Sequence, residues 1–309
     1  MRFFSNVPNI NFMAQRRAGL WLSSVLTIAS ILLVIFRGLN LGIDFTGGVL
    51  VEVRYPQTVE LETVRGKLAD AGYTSPIVQY FGTTQDVLIR LPPAADTSSA
   101  QVSTRILEAL DAQAAGIELK RVEFVGPQVG EELTEKGGLA LLFAFIGIFL
   151  YIALRFEWKF SAGAIAALIH DAVMVMGFLS LFWVEFDLTT LAAILALIGY
   201  SNNETVVIYD RVRENLINQR RAEILEVINL SVNQTLLRSI ITHLTTLLVL
   251  TALFFLGGHS VHSFSVALMV GVVVATYSSI YISTGLAVVL GISREDLLPP
   301  TQEEIDEMP

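Results

Sequence analysis

The chain has 309 residues, of which 53% are hydrophobic and 16% charged, and its mean hydropathy is +0.61. The apolar residues are concentrated in long uncharged runs, which is typical of an integral membrane protein. The net charge of −9 and the lack of a basic patch with interleaved aromatic residues argue against nucleic-acid binding. The absence of cysteine excludes disulfides, thiolate metal sites and cysteine nucleophiles.

The first apolar run predicts a membrane span. Residues 18–36 are uncharged, lie between Arg17 and Arg37, and are long enough to cross a hydrocarbon core of about 30 Å. Because the run lacks a small-residue cleavage site, we expect a retained span rather than a removed signal peptide.

The residues that follow change character and predict a small α+β domain. Paired glycines at Gly47 and Gly48 end the helical pattern, and an alternating pattern then begins. The predicted order is β-α-β-β-α-β, the ferredoxin-like arrangement. Its strands are expected at 49–54, 77–81, 87–91 and 119–125, with a hairpin turn at 82–84, and its helices at 58–71 and 99–115.

Five further spans are expected after this domain: 137–154, 160–184, 188–214, 236–256 and a last span between His262 and Arg294. The predicted fold is an all-α membrane bundle of six transmembrane helices with an inserted external α+β ferredoxin-like domain. Four segments are expected: the N-terminus and first span (1–38), the domain (39–130), spans two to six (131–293) and an acidic cytoplasmic tail (294–309).

The short loops predict the orientation of the chain. The two loops expected on one side, 184–187 and 257–262, contain no lysine or arginine. Positive loops face the cytoplasm, which predicts cytoplasmic termini and an external ferredoxin-like domain. The positive residues of the opposite side are Arg16, Arg17, Arg155, Lys159, Arg211, Arg213, Arg220 and Arg221.

The fourth apolar run carries an acid close to its basic end. Residues 188–203 are uncharged, and Glu204 then precedes the apolar run 206–209, less than about 10 Å along the helix from the end that Asp210 and Arg211 predict. A charged side chain at membrane depth costs about 2.5 to 3.5 kcal/mol on insertion scales, so it is rarely present without a partner or a function. We therefore interpret Glu204 as a functional residue.

Arg238 is the candidate partner of Glu204, because it lies near the start of the fifth run at a matching depth. An opposite charge within about 4 to 6 Å would hold the carboxylate ionised, whereas burial favours its protonated form. A carboxylate held between these influences can take and release a proton, as in the relays of membrane pumps. Alternatively, Arg238 extends its side chain to the lipid headgroups.

Polar side chains continue along the fifth run: Thr242, His243, Thr245 and Thr246. With Asn203 they would either line a hydrated path or join helices by hydrogen bonds. Thr245 and Thr246 are more simply explained by bonds to their own backbone, and His243 by exposure to headgroups or solvent. In the third run, Asp171 with His170 beside it is either a structural pair or a proton-handling one. The candidate proton-coupling residues are Glu204, Arg238, Thr242, Asn203 and Asp171; no metal and no cofactor are expected.

Glycines within the spans permit close approach of helices. They are Gly137, Gly138, Gly147, Gly163, Gly177 and Gly271.

Six stretches together resemble the SecD/SecF family of protein-export membrane proteins, within the resistance-nodulation-division superfamily. They are LGIDFTGG (41–48), VGPQVGEELTEKGG (125–138), ALRFEWKF (153–160), HD (170–171), IGYSNNETVVIYDRVREN (198–215) and NQTLLRSIITHLTTLL (233–248). The resemblance covers nearly the whole chain and implies that the spanning acid and base of the family are Glu204 and Arg238, with Thr242 beside them. In the family the first position is usually aspartate, and a small hydroxyl residue usually stands at the position of His243.

The resemblance also implies a function. It implies a multi-pass subunit of the bacterial cytoplasmic (inner) membrane that pairs with SecD and uses the proton-motive force to promote late steps of protein export. The implied partners are SecD, the SecYEG translocon with YidC as a further candidate, the exported unfolded polypeptide, protons and the lipid bilayer.

Other functions remain open at this point. One alternative is a proton-coupled small-molecule or lipid exporter of the same superfamily, although a single domain of about 80 residues argues against it. Another is a purely structural stabilising subunit. We expect no enzymatic activity, because the external domain lacks the spacing of a Ser-His-Asp triad or of paired metal ligands. No GxxxxGK[ST] loop is present, so ATP is not expected as this chain's energy source.

Overall fold

The computed structural model describes residues 8–73, 75–92, 99–219, 221–258 and 261–293. The predicted acidic tail, Arg220 and His259 lie outside the described residues. Six described helices are long and apolar enough to cross a membrane, and a small sheet-containing domain is inserted after the first. The predicted fold class is therefore confirmed. Span one is Arg16–Arg37, span two Pro127–Arg155, span three Trp158–Phe182, span four Leu188–Asn218, span five Ile224–Leu256 and span six His262–Val289.

Span two begins ten residues earlier than predicted. The helix starts at Pro127 instead of Gly137. Proline suits the first helical position because its φ is already helical and its missing N–H has no partner there. The polar stretch that follows remains helical, with Glu132 and Lys136 paired across one turn.

The predicted ends of spans four and five are wrong, although the polar, basic segment 210–237 is helical, as its pattern predicts, up to Asn218 and again from Ile224. Span four continues past Asp210 to Asn218, and span five begins at Ile224 rather than at 236. Polar residues mark where an uncharged run ends, but they do not end a helix that still has a face to bury. Val212 and Leu216 supply that face, since both are buried in an apolar cluster with Val227.

Span six is interrupted by one turn of π-helix. The turn comprises Ser279–Ser283, between α-helical segments His262–Ser278 and Thr284–Val289. Such turns are often found at functional sites in helices.

Spans three, four and six form the centre of the bundle. Half of the most apolar stretch of each is buried, compared with 11% for spans one and two and 17% for span five. The apolar side chains that spans one, two and five leave exposed require lipid or another membrane protein as their environment.

The inserted domain is built on a four-stranded antiparallel sheet. The strands are β2 (Gly48–Arg54), β3 (Ile77–Phe81), β4 (Thr83–Leu91) and β5 (Glu118–Val125), in the spatial order β3-β4-β2-β5. Helices Leu61–Asp70 and Ser99–Ala109 complete the β-α-β-β-α-β order, with one additional turn at Ala112–Ala115. The hairpin turn is shorter than predicted, because Thr83 and Thr84 already belong to β4. Two further short strands, β1 (Asn40–Leu41) and β6 (Glu185–Phe186), form a second sheet.

The paired glycines before β2 have a steric explanation. Gly47 and Gly48 have φ values of +67° and +125°, which residues with a Cβ rarely adopt. A Cβ at Gly48 would lie 2.3 Å from the carbonyl oxygen of Leu91. The close pairing of β2 with β4 therefore requires glycine at this position.

A cross-strand ion pair outside the membrane spans gives the domain a pH-dependent contribution to stability. Arg54 donates two hydrogen bonds to the buried Asp86 opposite it, at 2.6 and 2.8 Å. These bonds lower the pKa of Asp86 below its ordinary value of 3.8, although burial partly opposes them. The stabilisation is therefore present above that ordinary value and is lost as the pH falls through the lower native pKa.

We predict that Asp86→Asn weakens amide protection in β2 and β4 at pH 7. The difference from the native chain should shrink as the pH falls through the lowered native pKa of Asp86, because the native chain then also loses the ionised carboxylate. Hydrogen exchange of the full chain measures this, with Glu62→Gln as the control because the Glu62–Arg65 pair is exposed. Equal protection of native and Asp86→Asn chains at pH 7 would contradict the prediction.

The loop between spans three and four belongs to the same compact unit as the domain. That unit comprises Leu41–Ala140 and Glu185–Leu188. Buried Glu185 lies 3.5 Å from buried Arg90, and the amide of Leu188 donates to a carboxylate oxygen of Asp44 at 2.9 Å. Burial raises the pKa of Glu185, and Arg90 partly opposes this effect. These contacts lie within that unit, and its residue Leu188 is also the first residue of span four.

Candidate proton-coupling site

Glu204 is buried inside the bundle, with 7% of its surface exposed. Its Oε1 is hydrogen-bonded to the hydroxyl of Ser239, and its Oε2 lies 3.8 Å from Nε2 of His243. The second distance is too long for a hydrogen bond, but it is short for two groups that can each carry a proton. The hydroxyl of Ser239 and the imidazole of His243, both on span five, therefore lie beside the carboxyl group of Glu204 on span four.

The expected ion pair between Glu204 and Arg238 is not formed. Arg238 is exposed, and it has no ion-pair partner among the residues that the structure describes. Ser239 and His243 are four residues apart and share one face of span five, which is turned towards Glu204. Arg238 precedes Ser239 by one residue, which corresponds to a rotation of about 100° around the helix.

Arg238 lies in the middle of its helix rather than at the start. It follows Ile224 by 14 residues, which is roughly 21 Å of helix. It lines a cleft of about 370 Å³ between spans four and five, together with Asp210, Arg211 and Glu214. Its guanidinium is therefore placed among the charged groups of a surface cleft.

The other residues of the predicted stripe lie on the outside of the bundle. Asn203 and Thr242 are exposed. The hydroxyl of Thr242 donates to backbone carbonyls of its own helix, and Thr245 and Thr246 do the same. The prediction that Thr245 and Thr246 bond to their own backbone is confirmed.

Sequence reasoning missed two residues at Glu204. His243 was expected at headgroups or in solvent, yet only 5% of its surface is exposed. Ser239 was not considered. The four-residue spacing of these two polar residues, one position out of step with Arg238 and Thr242, is the signal that would have separated the inner face from the outer one.

Asp171 is the centre of a second buried polar cluster. It is 1% exposed, and its Oδ2 accepts hydrogen bonds from Ser201 at 2.6 Å and Ser278 at 2.8 Å. Its Oδ1 lies 3.0 Å from Nδ1 of His170. The carboxyl group thus joins spans three, four and six. The sequence analysis predicted only His170 as its neighbour.

We predict that Asp171→Leu lowers the stability of the bundle more than Asp171→Asn does. Leucine leaves the hydroxyl of Ser201 and the imidazole of His170 without their acceptor and limits Ser278 to the carbonyl of Ala275, at a cost of about 3 kcal/mol in total. Asparagine still offers an oxygen to the serines and keeps the volume. Thermal unfolding of the purified chain in detergent compares the variants, and equal melting temperatures for Leu and Asn would contradict the structural role of Asp171.

Three of the six predicted glycines allow close helix contact. A Cβ at Gly163 would lie 2.3 Å from the carbonyl oxygen of Ser283, and one at Gly177 would lie 2.4 Å from Oγ of Ser30. A Cβ at Gly271 would lie 2.5 Å from a methyl carbon of Leu197. A Cβ at Gly138 or Gly147 would meet no atom within 4 Å, so the prediction is wrong for these two. Close packing therefore involves spans one, three, four and six. Within the described residues, no group of three His, Asp or Glu side chains could hold a metal ion.

Comparison with known proteins identifies the family. The model of the C-terminal region of SecD/SecF protein-export membrane proteins matches residues 105–293, and the model of the SecD/SecF GG motif matches residues 32–59. The chain belongs to the SecD/SecF family. Its GG motif contains Gly47 and Gly48, and the close pairing of β2 with β4 requires the second of these.

Members of the SecD/SecF family similar to this chain include proteins named protein translocase subunit SecF. That of Pseudomonas aeruginosa is 48% identical and covers 98% of this chain and 99% of its own length. Those of Vibrio alginolyticus and Escherichia coli O157:H7 are 44% and 40% identical, covering 97% and 92% of this chain and 97% and 88% of their own lengths.

A solved structure of the same family has a similar fold. The crystal structure of SecDF from Thermus thermophilus, described as a translocon-associated membrane protein, superimposes with a TM-score of 0.82 and 38% sequence identity. The match covers 92% of this chain but 39% of the SecDF chain. This chain therefore corresponds to about two fifths of SecDF.

Proposed function

We propose that this chain is a non-enzymatic subunit of the Sec protein-export machinery that works with SecD. In this proposal it uses the proton-motive force to promote late steps of protein export across the bacterial cytoplasmic membrane. The observation that carries the proposal is Glu204, a buried carboxyl group within a membrane-spanning helix of a SecD/SecF family member.

The surroundings of Glu204 suit a group that gains and loses a proton. When the carboxyl is ionised, the hydroxyl of Ser239 can donate a hydrogen bond to it. When the carboxyl is protonated on Oε2, Ser239 can continue to donate to Oε1; when it is protonated on Oε1, the same hydroxyl can accept, because Ser239 can donate instead to the carbonyl of Thr235 at 3.1 Å. Both protonation states of Glu204 thus keep a hydrogen bond. Asp171, with its two serine donors, is the second candidate on the proton route.

The contacts of the domain support a mechanical link to this site. Asp44 binds the first amide of span four, and a carboxylate at a helix N-terminus is favourable because the exposed amides carry partial positive charge. Glu185 and Arg90 hold the same loop. In the proposed mechanism, a change of protonation at Glu204 alters the packing of span four, and the loop passes this change to the domain, which acts on the exported unfolded polypeptide.

The exposed apolar faces of the outer spans support an assembly with other membrane proteins. We propose that SecD covers part of these faces and supplies the second half of the proton route, since proton-coupled transporters place their sites at the interface of two repeats. Arg238, Thr242 and Asn203 are exposed on spans four and five, where they would contact SecD. SecYEG and YidC are proposed as further partners.

We propose cytoplasmic termini and an external domain, on the basis of the positive loops. The chain has no cysteine, so single cysteines can be introduced without background. Thr63 lies on an exposed domain position and Asn218 at the end of span four. A membrane-impermeant maleimide should label Thr63→Cys in intact spheroplasts and Asn218→Cys only after permeabilisation. The reverse pattern would overturn the orientation.

Release of an exported protein from membrane vesicles tests the function. Vesicles that contain SecD and the translocon are prepared with and without this chain, and a proton gradient is imposed. We expect the gradient to accelerate release only when the chain is present, and a protonophore to remove the acceleration. Equal gradient-dependent release without the chain would overturn the proposal.

A further inference from the structure

His243 lies at the junction of three spans. Its ring is buried on span five, 5.3 Å from the ring of Tyr200 on span four. On span six, Oγ1 of Thr276 lies 2.7 Å from Nδ1 of His243. One side of the imidazole therefore contacts span six, and the other side, at Nε2, is directed towards Glu204 on span four.

The hydrogen bonds of Thr276 favour one tautomer of the neutral ring. The hydroxyl of Thr276 donates to the carbonyl of Val272 at 2.8 Å. In that arrangement its one proton is already used, so its oxygen accepts from Nδ1 of His243, and Nδ1 carries the ring proton. Nε2 then carries the lone pair.

That lone pair has no hydrogen-bond partner among the described residues, although Nε2 is buried. A buried polar atom without a partner is costly and requires an explanation. Its nearest acidic group is Oε2 of Glu204, at 3.8 Å, and Oε2 is the carboxyl oxygen that Ser239 does not bind. A basic nitrogen and an acidic oxygen thus face each other. Their separation exceeds the length of a normal hydrogen bond by less than about 1 Å.

We infer that His243 is the proton-accepting partner of Glu204. This inference rests on the proposed function, in which Glu204 is protonated during transport. In the step itself, the bond between Oε2 and its proton breaks and a bond between Nε2 and that proton forms. A neutral pair becomes a carboxylate and an imidazolium, and no other reactant is consumed. Histidine suits this role because its imidazole gains and loses a proton near neutral pH.

Apart from Glu204, few groups lie close enough to His243 to affect its titration. Glu204 and Tyr200 are the titratable side chains that contact it from span four, and Thr276 contacts it from span six. On its own helix, Arg238 lies five residues earlier and is exposed. A coupled titration of His243 can therefore be assigned to Glu204.

Nitrogen NMR of the full chain, labelled at histidine and placed in lipid nanodiscs, tests the contact directly. The chain has only four histidines, so His243→Gln assigns the signal by its loss. We expect the titration midpoint of His243 to shift by about half a pH unit or more in Glu204→Gln, because a charge within 4 Å is removed. Glu214→Gln, an exposed control on the same helix, should leave it unchanged. An identical titration in native and Glu204→Gln chains would overturn the inference.

The vesicle assay separates this inference from the proposed function. We expect His243→Gln to slow gradient-driven release on the order of a hundredfold and to remove one titration from its pH profile. His262→Gln, the same substitution at a histidine away from Glu204, should retain the native rate of release and the native pH profile. If Glu204→Gln is inactive while His243→Gln keeps the native rate and pH profile, only this inference fails. If Glu204→Gln is fully active, the proposed function fails.

Discussion

Glu204→Gln is expected to abolish the acceleration of protein release by a proton gradient while leaving the bundle assembled. Glutamine has nearly the same size and retains an oxygen for Ser239, so the packing around position 204 is preserved. It cannot take up or release a proton. If coupling depends on this one group, the gradient-dependent rate should fall to that measured with a protonophore.

Glu204→Asp tests whether a shorter acid at position 204 is sufficient for coupling. Aspartate keeps the acid but is one methylene shorter, which moves the carboxyl group away from Ser239 and His243. We expect it to retain gradient-driven release, at a reduced rate. Glu214→Gln is the matched control, because Glu214 is exposed and paired with Arg211 on the same helix. Native activity in Glu204→Gln would show that the proton takes another route, with Asp171 and the partner subunit as the next candidates.

Gly163→Ala is expected to cause the largest loss of stability among conservative changes in the spans. Its Cβ would lie 2.3 Å from the carbonyl oxygen of Ser283 and 2.9 Å from the hydroxyl of Tyr209. Ser283 belongs to the π-helical turn of span six, so relief of the clash requires movement of backbone rather than rotation of a side chain. Overpacking of this kind costs about 1 to 3 kcal/mol and sometimes more.

Thermal unfolding of the full chain in detergent measures this effect, with Gly147→Ala as the control. Gly147 also lies within a membrane span, and a Cβ there meets no atom within 4 Å. Alanine is intrinsically better than glycine in a helix, by about 1 kcal/mol in soluble hosts, so the control should be neutral or stabilising. Equal melting temperatures for the two variants would contradict the close contact between spans three and six.

The alternation of apolar and polar residues was sufficient to predict the inserted domain. Val51 and Val53 alternate with polar neighbours in β2, and Leu68, Ile106 and Leu110 follow helical spacing; all five are buried in one core. Regular elements of a small domain have one buried face, and the period of that face reveals the element. The predicted hairpin turn was two residues too long because threonine is compatible with both turn and strand.

Helix ends were less predictable than helix positions. Hydropathy finds where a run stops being apolar, but a helix ends where its backbone loses partners or its buried face ends. Val212 and Leu216 extend span four beyond its charged residues, and Pro127 starts span two while the chain is still polar. The depth of Glu204 relative to Arg238 was therefore estimated from a helix start that lies 12 residues too late.

Six spans, a ferredoxin-like insertion and one acid inside the fourth span could be predicted without coordinates. They follow from the length of apolar runs and from the periods of strands and helices, which are local properties of the chain. The contact of Glu204 with Ser239 and His243 instead of Arg238 depends on how the helices pack, which no local pattern shows. The rotation of a helix about its axis is set by its contacts with distant parts of the chain, and one residue corresponds to about 100°, which is enough to turn Ser239 and His243 towards Glu204 while Arg238 stays exposed.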